Sequence, residues 1–424
     1  MTEILGVAAI LLVVSGGGWM LLRPRYGSGA ALGLVLTSQS LHVAATIYRY
    51  GIEVLNDDYT ETASDTFRYL LYGRARWLNE TPLLSEVKPG NGTETTYALS
   101  QAFFTVLGDH RFLVFLLGSS LGLIGLWFIA LALRTAREAA PLGFAFAIVA
   151  FPTTVYWSAS FGKDSVTLLA LGAVLQCVAR TARSHSVHVE SIIGLAVVLP
   201  VILCVRMDVG LVLIGGLLLA WIGATNSPSH RFRTPVVIIA YCVLPLALLT
   251  AILLEIDDPW GIVEEFTGSY ERTSLGGSDL ETSRPSGILG ILVGVFTAVF
   301  RPMPWELGVQ GLLSSLDIIP LVAAVAVLVN SRRLSGLSTP SARLVLCTLF
   351  FAIAVFAQLT EFGNLGLLVR LRSLIVPTLI LAIALVPQPF VFRSRDPLRA
   401  PNSSLSWSQV ADHSSEGRKS ATTL

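Results

Sequence analysis

Charged residues at the edges of long apolar segments are the features of this sequence that could carry chemistry. The candidate cations are Lys163, Arg206, Arg301, Arg370 and Arg372, and the candidate acids are Asp65, Asp164 and Glu306. Arginine matches the geometry of phosphate through its planar fork of donors. A carboxylate held near apolar surroundings can accept a proton as a general base. These residue types together suit chemistry on a phosphorylated substrate.

The candidate base is Asp65, which begins a segment that we expect to form a short interfacial helix. Asp65, either Arg68 or Tyr69, and Tyr72 would share one face of that helix, at i, i+3 or i+4, and i+7 spacing. Partial desolvation would raise the pKa of the Asp65 carboxyl group and favour proton transfer. The alternative is structural, since Ser64 or Asp65 also suits the N-cap position. Asp57 and Asp58, upstream, are expected either to be solvated or to make a secondary metal or acceptor contact.

Two further charged positions follow apolar runs directly. Lys163 and Asp164 begin a predicted helix, where Lys163 either meets a phosphate or balances a carboxylate that favours the positive helix end. Arg206 lies at the tip of a helical hairpin, next to Asp208. Charges this close to hydrocarbon are usually paired or functional. Arg206 therefore either contacts an anionic ligand or forms a local pair with Asp208.

The last two charged positions lie nearer the C-terminus. Arg301 and Glu306 flank two prolines that break a short apolar helix, and they either pair with each other or line a site. Arg370 and Arg372 precede the last apolar run. A bound anion would explain cations on this side, and the alternative is contact with lipid headgroups by snorkelling.

The elements that must position these residues are long apolar runs. A run of about 15–23 residues spans or nearly spans a bilayer core of about 30 Å. We predict an all-α, polytopic transmembrane protein with about eleven spans, at roughly 4–22, 28–48, 112–133, 140–157, 165–179, 191–205, 208–225, 236–254, 311–329, 344–360 and 373–387. The shorter stretches 97–107 and 288–300 are expected to be an interfacial helix and a re-entrant or outer half-helix.

Charge predicts the orientation of these spans. One set of links is rich in arginine, which is typical of the cytoplasmic side. It contains Arg23, Arg25, Arg134, Arg137, Arg180, Arg183, Arg231, Arg233, Arg332, Arg333 and Arg343. This assignment places the N-terminus outside and the C-terminus in the cytoplasm of a multi-pass plasma-membrane protein. The candidate site residues then all lie on the outer side.

The connecting segments differ greatly in length. We expect a transmembrane domain over residues 1–392, with large outer loops at about 49–111 and 255–286, and a disordered cytoplasmic tail over 393–424. With 53% hydrophobic and 13% charged residues, the composition excludes an ordinary soluble globule. Net charge near zero and the lack of a basic block give no reason to expect nucleic acid. The four cysteines are isolated and show no metal spacing, although a divalent cofactor stays an open alternative.

At several of these motifs the chain resembles bacterial polytopic membrane proteins of polysaccharide biosynthesis. The resemblance rests on Ser64-Asp65 followed by Tyr69 and Gly73, on residues 157–164, on residues 301–306 and on residues 363–372. Similarity to glycosyltransferases of the GT-C fold implies an acidic base in the first outer loop, the position of Asp65. It also implies a sugar donor linked to polyprenyl phosphate, and other envelope-glycan proteins as partners.

The chain is also similar to O-antigen polymerase-like proteins, which join lipid-linked repeat units by means of arginines. That resemblance implies the same role for Arg206, Arg370 and Arg372. Our expectation is therefore a transferase that moves a sugar from a polyprenyl-linked donor at the outer face of the bilayer. The alternatives are a polymerase of lipid-linked oligosaccharides and, outside enzymes, a flippase or transporter of lipid-linked glycans.

Overall fold

The structure of the protein is a computed structural model. It describes residues 2–55, 64–85, 87–184, 188–222, 296–297, 300–301, 305, 309–329, 337–359 and 365–386. Asp57, Asp58, Glu306, the expected span at 236–254 and the C-terminal tail lie outside these residues. The second large outer loop, at about 255–286, also lies outside them, as does most of the expected half-helix at 288–300.

Every regular element in the described part of the chain is a helix. The helices are α1 (Thr2–Tyr26), α2 (Ser28–Tyr50), α3 (Asp65–Leu78), α4 (Gly92–Leu107), α5 (Arg111–Ala136), α6 (Leu142–Ala150), α7 (Pro152–Ser158), α8 (Lys163–Ser184), α9 (Val189–Val205), α10 (Met207–Ile222), α11 (Val309–Ser315), α12 (Ile318–Val329), α13 (Thr339–Leu359) and α14 (Leu365–Leu385). A short π-helix, Gly51–Leu55, continues α2. The all-α prediction is confirmed for these residues.

Five helical segments are long and apolar enough to cross a membrane: Glu3–Tyr26, Ser28–Leu55, Arg111–Ala136, Lys163–Ser184 and Leu368–Leu385. Four shorter apolar segments accompany them: Val189–Val205, Met207–Ala220, Gly311–Val327 and Pro340–Phe356. These lengths are compatible with a membrane protein. The total of about eleven spans and the orientation of the termini stay predictions.

Two expected spans are interrupted. The run at 140–157 forms two helices, because Phe151 adopts an extended conformation and Pro152 begins α7. A residue before proline is disfavoured in the helical region, and proline is well suited to the first helical position. The run at 311–329 is divided by a turn at Leu316 and Asp317. Both breaks lie close to charged side chains, which either belong to the candidate site or hold its helices together.

The centre of the bundle is formed by α5, α8 and α14. In their apolar windows 72%, 83% and 89% of the residues are buried, against 11% in α1, so α1 is peripheral. Glycines allow α5 and α8 to approach closely: a Cβ atom on Gly172 would lie 2.2 Å from the carbonyl oxygen of Gly125. Small residues at helix contacts are the usual device for close packing within membranes.

Polar contacts fasten α2 to this centre. The indole nitrogen of Trp127 donates to the Ser38 hydroxyl at 2.9 Å, and His42 Nε2 lies 2.9 Å from the Ser119 carbonyl oxygen. Hydrogen bonds between helices satisfy polar groups where water is excluded. They also fix the rotation of α2, and therefore the direction of Arg49 at its C-terminal end.

Three arginines of the predicted basic links, Arg25, Arg137 and Arg183, meet at one end of the bundle, whereas the links at Arg231, Arg233, Arg332 and Arg333 lie outside the described residues. Glu138 forms ion pairs with Arg25 and Arg183. Arg137 donates a hydrogen bond to the carbonyl oxygen of Ala384 at 2.7 Å. Arg183 is in the last turn of α8, whereas Lys163 is its first residue. Twenty-two helical residues extend about 33 Å, so Lys163 lies at the opposite end.

Candidate functional site

A buried carboxylate, Asp164, is the centre of a charged cluster at the Lys163 end of the bundle. The other members of this cluster are Asp65, Lys163, Arg206 and Arg370. The Asp164 side chain is only 3% exposed. One oxygen, Oδ1, accepts a hydrogen bond from Arg206 Nη2 at 2.8 Å, and Oδ2 accepts one from Arg370 Nε at 2.9 Å. Asp164 is in the first turn of α8, where the helix dipole favours negative charge. The carboxylate thereby joins α8 to the α9–α10 hairpin and to α14.

Asp65 is the outer member of the same cluster. Arg370 Nη1 donates to Asp65 Oδ2 at 3.0 Å, so one guanidinium bridges two carboxylates. The Asp65 side chain is about half exposed, at 53%, and therefore lies at the edge of the cluster. Asp65 is the first residue of α3, and the Ser64 hydroxyl caps this helix by accepting from the Phe67 amide. The predicted helix and a serine cap at Ser64 are both observed, and the cap leaves the Asp65 carboxylate to Arg370.

The environment of Asp65 changes its basicity in the direction opposite to our expectation. Burial alone would raise the pKa of the carboxyl group, but the Arg370 guanidinium and then the Lys163 ammonium outweigh burial. The pKa of Asp65 is therefore lowered below its ordinary value. The expected rise was wrong because the sequence did not reveal an arginine within hydrogen-bond distance. While Arg370 holds it, Asp65 is an ionised but weak base.

Tyr69 packs beneath Asp65, one helical turn further along α3. Its side chain is buried, and its ring makes an edge contact with Phe161 at a centroid distance of 6.5 Å. Burial, followed by the negative charge of Asp65, raises the pKa of the Tyr69 hydroxyl far above its ordinary value. Tyr69 is therefore a neutral hydroxyl beside the charged groups, and it fills the space between α3 and the turn before α8.

Lys163 is the cation of the cluster that the described residues leave without a carboxylate partner. Its Nζ donates to the Thr93 hydroxyl at 3.1 Å. The segment before Thr93 is docked on the end of α9, since the Gly90 amide donates to the carbonyl oxygen of Leu203 at 3.3 Å. At Gly92 a Cβ atom would lie 2.0 Å from the Val205 carbonyl oxygen, so only glycine fits this contact. The docked segment forms one wall beside Lys163.

The local pairing considered for Arg206 is not observed. Arg206 follows the last residue of α9 and pairs with Asp164 rather than with its neighbour Asp208. This contact crosses from one helix to another. Arg206 is also mostly buried, with 11% of its side chain exposed. Its charge is thus partly neutralised, and it acts together with Arg370 around one carboxylate.

Arg372, which was also expected to bind phosphate, lies apart from the cluster and contacts other groups of the protein. Its side chain is fully buried, and Nε donates to Asp317 Oδ2 at 3.1 Å. Its two terminal nitrogens donate to the carbonyl oxygens of Arg301, at 3.0 Å, and Ser314, at 2.6 Å. The Thr153 hydroxyl donates to the other oxygen of Asp317. Arg372 therefore ties α14 to α7 and α11, and the Arg301 backbone takes part in that tie.

Sequence reasoning missed Arg49, which is a neighbour of the cluster. The guanidinium lies 4.8 Å from the ring centroids of both Tyr156 and Trp157, and it pairs with Glu53. It also donates to the carbonyl oxygen of Tyr156 at 2.9 Å. Arg370 lies 5.7 Å from the Trp157 ring on the same side of the bundle. The i,i+4 spacing of Arg49 and Glu53 was the signal in the sequence, but the aromatic pair was interpreted only as an interfacial marker.

One cavity among the described residues lies outside the cluster. It has a volume of about 500 Å³ and is lined by Glu3, Tyr50, Arg74, Asp109, Arg111 and Phe112. Arg74 and Asp109 form an ion pair there. No residue of the predicted site lines this cavity. Its Arg74–Asp109 pair also joins an arginine to a carboxylate, but it includes none of the cluster residues. The cavity therefore serves as a comparison site.

The cluster combines three cations with two carboxylates, which leaves one excess positive charge among Asp65, Lys163, Asp164, Arg206 and Arg370. Such a site attracts an anion, and the half-exposed edge at Asp65 is where an anion could arrive. Among the described residues, no three or more histidine, cysteine or acidic side chains form a group that could hold a metal ion. The chemistry that these side chains offer is anion binding with an adjacent proton acceptor.

Comparisons with known proteins give no further evidence on the function of this site. No protein-family model matches the chain, and neither a curated protein nor a solved structure matches it significantly. The functional argument therefore depends on the site itself.

Proposed function

We propose that the protein is a membrane glycosyltransferase that takes a sugar from a polyprenyl-phosphate donor and transfers it to a glycan or lipid acceptor. The observation that supports this proposal most directly is the position of Arg370 between Asp65 and Asp164. This arrangement places cations that could bind a phosphate next to a carboxylate that could accept a proton, at one end of the apolar helices. The lipid tail of the donor would lie in the bilayer, beside helices that are long and apolar enough to cross it.

The proposed reaction makes one bond and breaks one. The acceptor oxygen bonds to the anomeric carbon while its proton passes to the Asp65 carboxylate. The bond between the anomeric carbon and the phosphate oxygen breaks, and polyprenyl phosphate leaves with the electron pair. The donor is a phosphodiester with one negative charge, and the product is a monoester with a second charge developing. Arg370, Lys163 and Arg206 would stabilise that developing charge.

The test is transfer of radiolabelled sugar from a polyprenyl-linked donor in proteoliposomes, with the wild type compared with Asp65→Asn. Loss of the base is expected to lower the rate by about 10²–10⁴-fold. The matched control is Asp109→Asn, which removes a carboxylate that pairs with Arg74 rather than Arg370. Activity of Asp65→Asn equal to that of the wild type would exclude Asp65 as the base.

A second candidate function is the joining of lipid-linked oligosaccharide repeats. It is favoured by one observation, the convergence of Arg206 and Arg370 from different helices on Asp164. In that case the arginines carry the reaction and Asp65 is dispensable. Transfer that survives Asp65→Asn but is lost in Arg370→Gln would favour this second function. Transfer lost in both variants would favour the first.

A further inference from the structure

The two carboxylates that hold Arg370 differ in how firmly they are placed. Asp164 is 3% exposed and has a second partner in Arg206, so it is an enclosed part of the helix bundle. Asp65 is 53% exposed and its only described ion pair is with Arg370. The inner carboxylate is therefore a fixed support for the guanidinium. The outer carboxylate is the one that an arriving anion could replace.

The groups around Asp65 match the needs of a phosphate. Arg370 presents Nη1 to Asp65 while its Nε is occupied by Asp164, so one edge of the fork is directed at the exposed side of the cluster. Guanidinium groups bind carboxylate and phosphate oxygens through the same donor geometry. The charge of Lys163 also acts on the Asp65 carboxylate, and no carboxylate pairs with Lys163 among the described residues.

We infer that the Asp65 carboxylate occupies, in the unliganded protein, the position on Arg370 that the phosphate of the substrate takes. The inference rests on the proposed function and adds an order of events to it. Phosphate binding displaces Asp65 from Arg370, and the displaced carboxylate becomes available to the acceptor hydroxyl. The base is thereby released only when a donor is bound.

Two physical arguments support this exchange. A half-exposed ion pair is weak, so its loss alters a binding constant by only about two- to five-fold, and a phosphate can compete with it. In addition, the guanidinium that lowers the pKa of Asp65 also limits its basicity. A base that stayed on Arg370 would compete with the leaving group for the same cation. Separation of Asp65 from Arg370 removes that competition.

The experiment measures binding of a short-chain polyprenyl monophosphate and, separately, of inorganic phosphate to the full chain in nanodiscs. Asp65→Asn removes the competing charge and is expected to bind both probes about two- to five-fold more tightly than the wild type. Asp65→Ser provides a second variant at this exposed position and is expected to do the same. Arg370→Gln should bind both probes more weakly, whereas Asp109→Asn should match the wild type.

The outcomes separate this inference from the proposed function. Unchanged or weaker binding by both Asp65 variants, with binding by the wild type intact, would overturn the shared position while leaving a phosphate-binding enzyme. Failure of the wild type and all variants to bind either probe would overturn the shared position and the proposed function together. Tighter binding of the lipid probe alone would also contradict the inference, because the exchange depends on the phosphate and not on the tail.

Discussion

The buried pair formed by Arg372 and Asp317 offers the sharpest test of how the site is supported. Both side chains are fully buried. Replacement of Arg372 by methionine keeps a long apolar side chain but removes the guanidinium. It leaves the Asp317 carboxylate with the Thr153 hydroxyl as its described donor. It also deprives the carbonyl oxygens of Arg301 and Ser314 of a donor.

The size of the effect follows from this burial. Removal of one partner from a buried ion pair costs about 3–5 kcal/mol, because the remaining charge is uncompensated. Asp317→Leu is expected to cost a similar amount for the same reason. The double variant Asp317→Leu/Arg372→Met removes both charges, and its main remaining cost is the loss of the two hydrogen bonds that Arg372 donates to the carbonyl oxygens of Arg301 and Ser314. We expect it to recover at least about 2 kcal/mol relative to Arg372→Met alone.

The assay is unfolding of each purified variant in mixed detergent micelles, with the free energy compared through a double-mutant cycle. Transfer by the same preparations shows whether the support acts on the cluster, because Arg370 is on the same helix, α14. If Arg372→Met is as stable as the wild type but fails to bind phosphate, the argument is refuted. Arg372 would then serve a ligand rather than the fold, as the sequence first indicated.

Two further predictions follow from the helix packing and from the cluster. Gly172→Ala should destabilise the protein in the same micelle assay, because its Cβ atom would lie 2.2 Å from the Gly125 carbonyl oxygen. The control variant Gly16→Ala should not, because its Cβ atom would meet nothing within 4 Å. Equal stabilities of the two variants would contradict the close helix contact. Arg370→Gln should raise the pKa of Asp65, because it removes the main charge that lowers it. Isotope-edited infrared titration of the carboxylate should then show deprotonation at higher pH than in the wild type, and an unchanged titration would exclude Arg370 as the cause.

The helices were largely predictable, because length and hydropathy are local properties of the sequence. The expected spans at 28–48 and 112–133 correspond closely to α2 and α5. The break within 140–157 was also encoded locally, since Pro152 suits the first position of a helix. It was missed because a continuous apolar run was given more weight than one proline. The break at Asp317 had a similar local signal, a carboxylate inside an apolar run.

The candidate site was predictable as an end of the bundle but not as a set of contacts. Charge along the chain indicated that Asp65, Lys163, Asp164, Arg206 and Arg370 lie at one end, and the structure brings these five residues together. It did not indicate that Arg370 bridges Asp65 and Asp164, because that contact depends on how three helices rotate and pack. The sign of the pKa shift at Asp65 depends on the same contact and was therefore wrong.

The separation of Arg370 from Arg372 was nevertheless predictable from the sequence. Successive residues in an α-helix are rotated by about 100°, so Arg370 and Arg372 are separated by about 200° around α14. Two such side chains point to nearly opposite faces and do not hold one phosphate together. In the structure Arg370 contacts Asp164, whereas Arg372 contacts Asp317. Helical spacing thus required a choice between the two arginines, and the packing of Arg372 against Asp317, which the sequence does not reveal, decides that choice in the structure.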